Sequence, residues 1–273
     1  SIGNLPPTGC WAIILLIYAF IASILPVTTL LQPRDYINAW QLFIAMGLLI
    51  LGVFASGFSG QLKIVAPIWQ KNPVGAPPLW PFLFVTIACG AISGFHCLVS
   101  SGTSSKQISK ESDALFVGYG SMLLEGVLAI LVLIAVMAGI GIAYKTDQNH
   151  ILTGVMAWKT HYASWTSSAG LGSKINAFVV GAANMMKFIG IPQFIGVVII
   201  GVFIASFAGT TLDTATRIQR YIIAELGANL KINLISNKYV ATGLAVITAA
   251  LLAFATGADG KGALKPVSYT HLT

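Results

Sequence analysis

The chain has 273 residues, 56% of them hydrophobic and 8% charged, with a net charge of +7 and a mean hydropathy of +0.83. Ordinary soluble domains are about 25% charged, so this composition excludes a soluble globular protein. The basic residues are scattered between apolar runs, which points to membrane-flanking Lys and Arg rather than a nucleic-acid surface.

Residues 1–33, 36–62, 72–105, 188–212 and 239–258 carry no charge, and 114–144 carry only Glu125. A membrane helix needs roughly 20 apolar residues to cross a hydrocarbon core about 30 Å thick. The first predicted span covers about 11–31, with Pro26 near its end. Gln32-Pro33-Arg34-Asp35 reads as a tight polar turn, and a second span follows over 38–58. The third covers 80–101, opening at Trp80-Pro81, where proline is tolerated in a first helical turn. The fourth covers 118–144. Residues 145–174 are polar, with Trp158, Tyr162 and Trp165 suited to an interface or gate-like loop. The apolar stretch 175–190 is short and reads as a re-entrant or half-length helix. A fifth span over 192–211 continues into a charged amphipathic helix to about Leu226, and the last covers 239–256. The expected fold is all-α, a polytopic transmembrane helix bundle with broken helices. Residues 1–265 form the membrane domain, read as incomplete, and 266–273 read as a tail foreign to the natural protein.

Polarity enters these spans at three places. On the third, Ser93, His96 and Ser100 recur at helical steps, followed by the polar run Ser100-Ser101-Gly102-Thr103-Ser104-Ser105. A helix that loosens there can line a cavity and hold a substrate with its freed backbone groups. Small-residue helix packing is the alternative. Glu125, on one face with Ser121 and Gly118, is expected to face other helices, because a lipid-facing carboxylate is costly. It is either a proton or cation coupling site or a structural carboxyl. The fifth span ends with Thr210, Thr211 and Asp213, whose oxygens suit Na⁺ or a gate. The local alternative is a helical ion pair between Asp213 and Arg217. Cys10, Cys89 and Cys97 have no metal spacing, nor have His150 and His161, and no Walker loop or haem motif occurs. No metal, cofactor or catalytic group is expected.

Several segments are similar to the carbon starvation protein A (CstA) family. They are Gly75-Ala76-Pro77-Pro78-Leu79-Trp80-Pro81, Cys89-Gly90-Ala91-Ile92-Ser93-Gly94-Phe95-His96, Val99-Ser100-Ser101-Gly102-Thr103, Gly118-Tyr119-Gly120-Ser121-Met122-Leu123-Leu124-Glu125 and Thr210-Thr211-Leu212-Asp213-Thr214-Ala215-Thr216-Arg217. The resemblance covers residues 10–265 and departs at Pro266. It implies a multi-pass transporter of the bacterial inner membrane, in the amino acid–polyamine–organocation superfamily, with inverted repeats and broken helices. It further implies uptake of peptides during carbon starvation, or of pyruvate with protons in a close branch. The expected partners are a peptide or small carboxylate, a proton or Na⁺, and the lipid bilayer, with no nucleic acid. Within that frame Ser93, His96, Ser100, Ser101 and Thr103 are candidates for substrate or gate contacts and Glu125 for coupling. Thr210, Thr211 and Asp213 are candidates for a cation or gate site. A starvation-linked membrane sensor that moves no solute is the alternative from another class.

Overall fold

The structure is a computed structural model that describes residues 6–69, 80–81, 84, 87–88, 94–102, 104–146, 150–164 and 171–255. The elements in chain order are α1 (Pro7–Ile24), α2 (Val27–Phe58), α3 (Gly94–Gly102), α4 (Ser112–Met137), β1 (Tyr144–Lys145), β2 (Ile151–Leu152), α5 (Gly154–His161), α6 (Leu171–Met186), α7 (Gln193–Asn229), α8 (Asn233–Ser236) and α9 (Lys238–Phe254). α1, α2, α4 with its short 3-10 extension, and α7 are each long and apolar enough to cross a membrane. α9, at 17 residues, is apolar but shorter. Of the expected third span, residues 82–83, 85–86 and 89–93 lie outside the described residues.

Two boundaries differ from the sequence expectation. α1 stops at Ile24, and the break falls at Leu25-Pro26 rather than at Gln32–Asp35. Pro26 forces the residue before it out of the helical region, and Leu25 is extended with φ −65° and ψ 149°. Pro33 lies inside α2, which runs unbroken through Arg34 and Asp35 for 32 residues. Its fixed φ is helical, so the helix loses a hydrogen bond there but keeps its course. α4 begins at Ser112, earlier than expected, with Asp113 in its first turn favouring the positive end of the helix dipole. Beyond Gly141 the chain turns into the two-residue antiparallel hairpin β1–β2, which the polar composition of 145–174 did not announce.

The chain divides into two compact units. One comprises residues 1–36, 77–107 and 207–273, the other 37–76 and 108–206, so α2 and α7 contribute to both. In the first unit α1 packs on α9 through small residues, Ala19, Ala22 and Ser23 on one side and Ala241, Thr242 and Ala245 on the other. Small side chains let membrane helices approach closely where lipid offers no hydrophobic drive between them. Asn237 caps α9 by accepting from Tyr239 N at 2.9 Å.

In the second unit α6 is the central element, and residues 177–186 are buried apart from half-buried Val180. Its Phe178, Val179, Ala182, Met185 and Met186 meet Met46 and Leu49 of α2, Leu131 and Ala135 of α4, and Ile200 of α7. Gly181 lies directly on the α4 backbone, where a Cβ would stand 2.0 Å from Ala135 O. Asn184 is the polar anchor of this core. Its Nδ2 donates to Gly139 O at 3.0 Å and Ala143 O at 2.6 Å, and its Oδ1 accepts from Gln193 at 3.1 Å. These bonds satisfy the carbonyls freed where α4 ends. Buried Asn38 accepts from Ser206, joining α2 to α7.

Candidate functional site

The charged groups of the first unit converge around the break between α1 and α2. α1 ends with carbonyls that have no partner in their own helix, and such groups must be satisfied where they are buried. Arg217 of α7 supplies the donors, its Nη2 bonding Ala22 O at 2.8 Å and Leu25 O at 3.0 Å. Arg220, one turn further on, donates to Ser23 O. Both guanidinium groups also lie at the negative end of the α1 dipole. The expected Asp213–Arg217 pair within α7 is therefore overturned, because Arg217 is spent on the α1 terminus.

Asp213 is fully buried and pairs with Arg34 of α2 instead. Tyr18 of α1 completes the group, its hydroxyl donating to Asp213 Oδ2 at 3.0 Å and accepting from Arg34 Nη1 at 2.8 Å. Three helices thus meet at one carboxylate. Asp35 stands beside the pair, 3.8 Å from Arg34 Nη2. Asp213, Arg217 and Arg220 fall at steps of four and three, one face of α7, and that face is buried. Tyr221, Ile222 and Leu226 are exposed on its other side. This half of α7 is amphipathic as expected, but three of its four charges, Asp213, Arg217 and Arg220, turn inward, while Glu225 is exposed with Ile222 and Leu226.

Some donors and acceptors in this group remain unmatched. Asp213 Oδ1, Arg34 Nε, Arg34 Nη2 and Arg217 Nε are buried and find no hydrogen-bond partner among the described residues. Three guanidinium groups face two carboxylates, leaving a surplus of positive charge.

The sequence-predicted residues fall in different places. Ser93 and Thr103 lie outside the described residues. His96, Ser100 and Ser101 are exposed on α3, and the two hydroxyls donate to Cys97 O and Leu98 O of the same helix. The structure describes α3 as helical over Gly94–Gly102 and a 3-10 turn over Ser104–Lys106, with 89–93 and 103 outside the description. Glu125 is exposed on α4 rather than turned toward other helices. α4 packs through its C-terminal half, around Leu131 and Ala135, while residues 111–119 are exposed on every side. Ser121 bonds the carbonyls of Val117 and Gly118 in its own helix. Thr211 is exposed and donates to Phe207 O at 3.1 Å, and Thr210 is half-buried. Thr214 and Thr216 likewise donate to Thr210 O and Leu212 O. Hydroxyls on helices commonly bond back in this way. Among the described residues of the predicted set, only Asp213 joins the three-helix group. Tyr18, Arg34 and Arg220 were missed. The signal that could have found Arg34 was Arg34-Asp35, an isolated charged pair between two long charge-free runs.

A second polar cluster lies in the other unit. His161 ends α5 with its Nδ1 3.1 Å from the Tyr144 hydroxyl, and Trp158 stacks on Tyr162 with ring centres 4.3 Å apart. Burial lowers the His161 pKa, partly offset by a hydrogen bond to the Ser173 backbone, and burial raises that of Tyr162. Trp158 and Tyr162 line an open cavity of about 940 Å³ with Ile64, Val65 and Lys159. Among the described residues no group of His, Cys, Asp and Glu has the makings of a metal site.

Four helices long and apolar enough to cross a membrane, with a buried, ion-paired polar centre, point to a membrane protein. The family described as carbon starvation protein CstA matches residues 7–268, and the chain belongs to that family. Its relatives include the peptide transporter CstA of Helicobacter pylori, 34% identical over 240 residues, 78% of this chain and 35% of that protein. The peptide transporter CstA of Bacillus subtilis is 35% identical over 233 residues, 80% of this chain and 38% of that one. The pyruvate/proton symporter BtsT of Escherichia coli is 44% identical over 126 residues, 43% of this chain and 17% of the symporter. The chain spans little more than a third of the length of the peptide transporters it matches. No solved structure matches it.

Proposed function

We propose that the chain is part of a secondary active transporter of the bacterial inner membrane that takes up peptides during carbon starvation, driven by a proton or Na⁺. The observation that carries this reading is the buried Arg34–Asp213–Tyr18 group, assembled from three helices beside a helix break. Ionisable groups in membrane helices are costly and mark substrate or ion pathways, and broken helices at such groups are a transporter device. The relatives, named as peptide transporters, agree with it. Pyruvate/proton symport is the second reading, favoured by the likeness to the Escherichia coli symporter. A small carboxylate and a peptide C-terminus present the same group to an arginine.

In this reading Ser93, His96, Ser100, Ser101 and Thr103 contact the substrate or gate its path, Glu125 carries the coupling proton or cation, and Thr210, Thr211 and Asp213 form a cation or gate site. The fold belongs with the amino acid–polyamine–organocation superfamily. Uptake of labelled dipeptide and labelled pyruvate by cells producing the protein tests the function. Accumulation of neither above empty cells refutes transport and leaves the sensor reading. Glu125→Gln should abolish or uncouple uptake, and wild-type rate and pH dependence in that variant would remove Glu125 from the mechanism.

A further inference from the structure

We propose that Arg34 is a carboxylate-binding residue held in reserve by Asp213, and that a proton taken up by Asp213 frees it for the carboxylate of an incoming solute. This deepens the transport reading and rests on it.

The first support is the donor count. A guanidinium carries five N–H donors in a planar fork that fits a carboxylate with two parallel bonds. Arg34 engages Asp213 and Tyr18 through Nη1 alone. Its Nε and Nη2 are buried without a hydrogen-bond acceptor among the described residues; Asp35 Oδ1 stands 3.8 Å from Nη2, an ion pair beyond hydrogen-bond reach. That edge of the fork is the one a second carboxylate would take. A buried donor left unmatched is costly, more so when charged, so a permanently structural pair would be expected to use it.

The second is the charge balance. The groups around Asp213 are Tyr18 from α1, Arg34 and Asp35 from α2, and Arg217 and Arg220 on its own helix. α9, which packs on α1, brings Ala241, Thr242 and Ala245 to that interface, with Lys238 at its exposed start. Three cations against two carboxylates leave room for one more anion. Replacing Asp213's charge by that of the solute, with one proton added, keeps the buried charge unchanged.

The third is the position of Tyr18. Its hydroxyl touches both partners, so it can hold Arg34 in place while Asp213 lets go. By linkage, a proton that favours anion binding is itself bound more tightly when the anion is present. Carboxylate affinity then rises as pH falls, and binding draws a proton from solution.

The test uses the purified protein in detergent, titrated in weak buffer with pyruvate, dialanine, pyruvamide and dialanine amide. Wild type should bind both carboxylates more tightly at lower pH, with uptake of about one proton per anion, and should not bind the amides. Asp213→Asn should bind the carboxylates about tenfold tighter, because the competing anion is gone, with no proton uptake and no pH dependence. Asp213→Asn combined with Arg34→Gln removes both charges and leaves neither buried unpaired. It should remain monodisperse and bind nothing. Three results would overturn the proposal: no saturable binding by wild type at any pH, carboxylate binding retained by the double variant, or Asp213→Asn matching wild type in affinity and proton uptake. Transport is read separately from vesicle uptake. Uptake that survives in the double variant sinks this proposal and spares the function, whereas wild-type binding without uptake does the reverse.

Discussion

Gly181→Ala asks how closely α4 and α6 are fitted. A Cβ at Gly181 would stand 2.0 Å from Ala135 O, 2.8 Å from Ala135 C and 3.2 Å from Ile140 N. All three are backbone atoms and cannot rotate away. Even a separation of 3.0 Å requires the two helices to part by about 1 Å, and a gap of that size forfeits a quarter to a half of each contact across it. The neighbours that lose contact are Leu131, Ala135, Phe178 and Ala182. Overpacking of this kind costs about 1–3 kcal/mol, which exceeds the gain of up to about 1 kcal/mol from replacing glycine by alanine inside a helix. The expected net loss is about 1–2 kcal/mol, read as earlier thermal unfolding in detergent. Gly126→Ala and Gly201→Ala are the controls, since nothing lies within 4 Å of a Cβ at either. They should be neutral or stabilising. Gly181→Ala unfolding no earlier than these controls would refute close backbone contact as the basis of the second unit.

Arg217→Gln should destabilise the protein by roughly 2–3 kcal/mol, because charged donors to the α1 carbonyls are lost; Arg217→Lys should restore only part, and thermal unfolding decides. Asn184→Leu should cost about 1–3 kcal/mol by removing the donor to Ala143 O and leaving Gly139 O only its bond from Ile142 N, against little effect from Ser59→Ala on the exposed end of α2. His161 is held neutral by burial, so its folded pKa lies below the ordinary 6.5. The unfolded chain then binds the extra proton first, and stability falls as pH drops below about 6.5, levelling off under the folded value. His161→Gln should reduce the stability difference between about pH 7.5 and 5, and an undiminished difference would show that other groups carry it.

The spans were legible because charge is so scarce. Long runs without Asp, Glu, Lys or Arg mark α1, α2, α4 and α7 almost by themselves. The continuation of 192–211 into a charged helix is seen in α7. What composition could not rank was two prolines seven residues apart. Pro26 and Pro33 each tolerate either a break or an uninterrupted helix, and packing around Arg34 decides for the second. Arg34 looked like a loop residue for that reason, and its partner Asp213 was assigned to the nearer Arg217. Spacing of four along a helix permits an ion pair but says nothing of a helix terminus 195 positions away that needs the same guanidinium. Glu125 shows the opposite limit: its cost in lipid argues for a partner, but local sequence cannot say which element provides one.

The length of α7 has a consequence for the sidedness of the buried charges. Its 37 residues extend about 56 Å, far more than a hydrocarbon core of about 30 Å. Tilt alone does not absorb the excess, since membrane helices rarely lean beyond about 40°. From Gln193 to Asp213 the helix rises about 30 Å. With its apolar start at one boundary, Asp213 stands at the other, and Arg217 and Arg220 lie beyond it. Ions approaching from that near side traverse almost no oil, whereas those from the far side face the full thickness. Chemical modifiers of arginine that do not permeate membranes should therefore reach this group from a single side of sealed vesicles, and equal labelling from both would place it near the midplane instead.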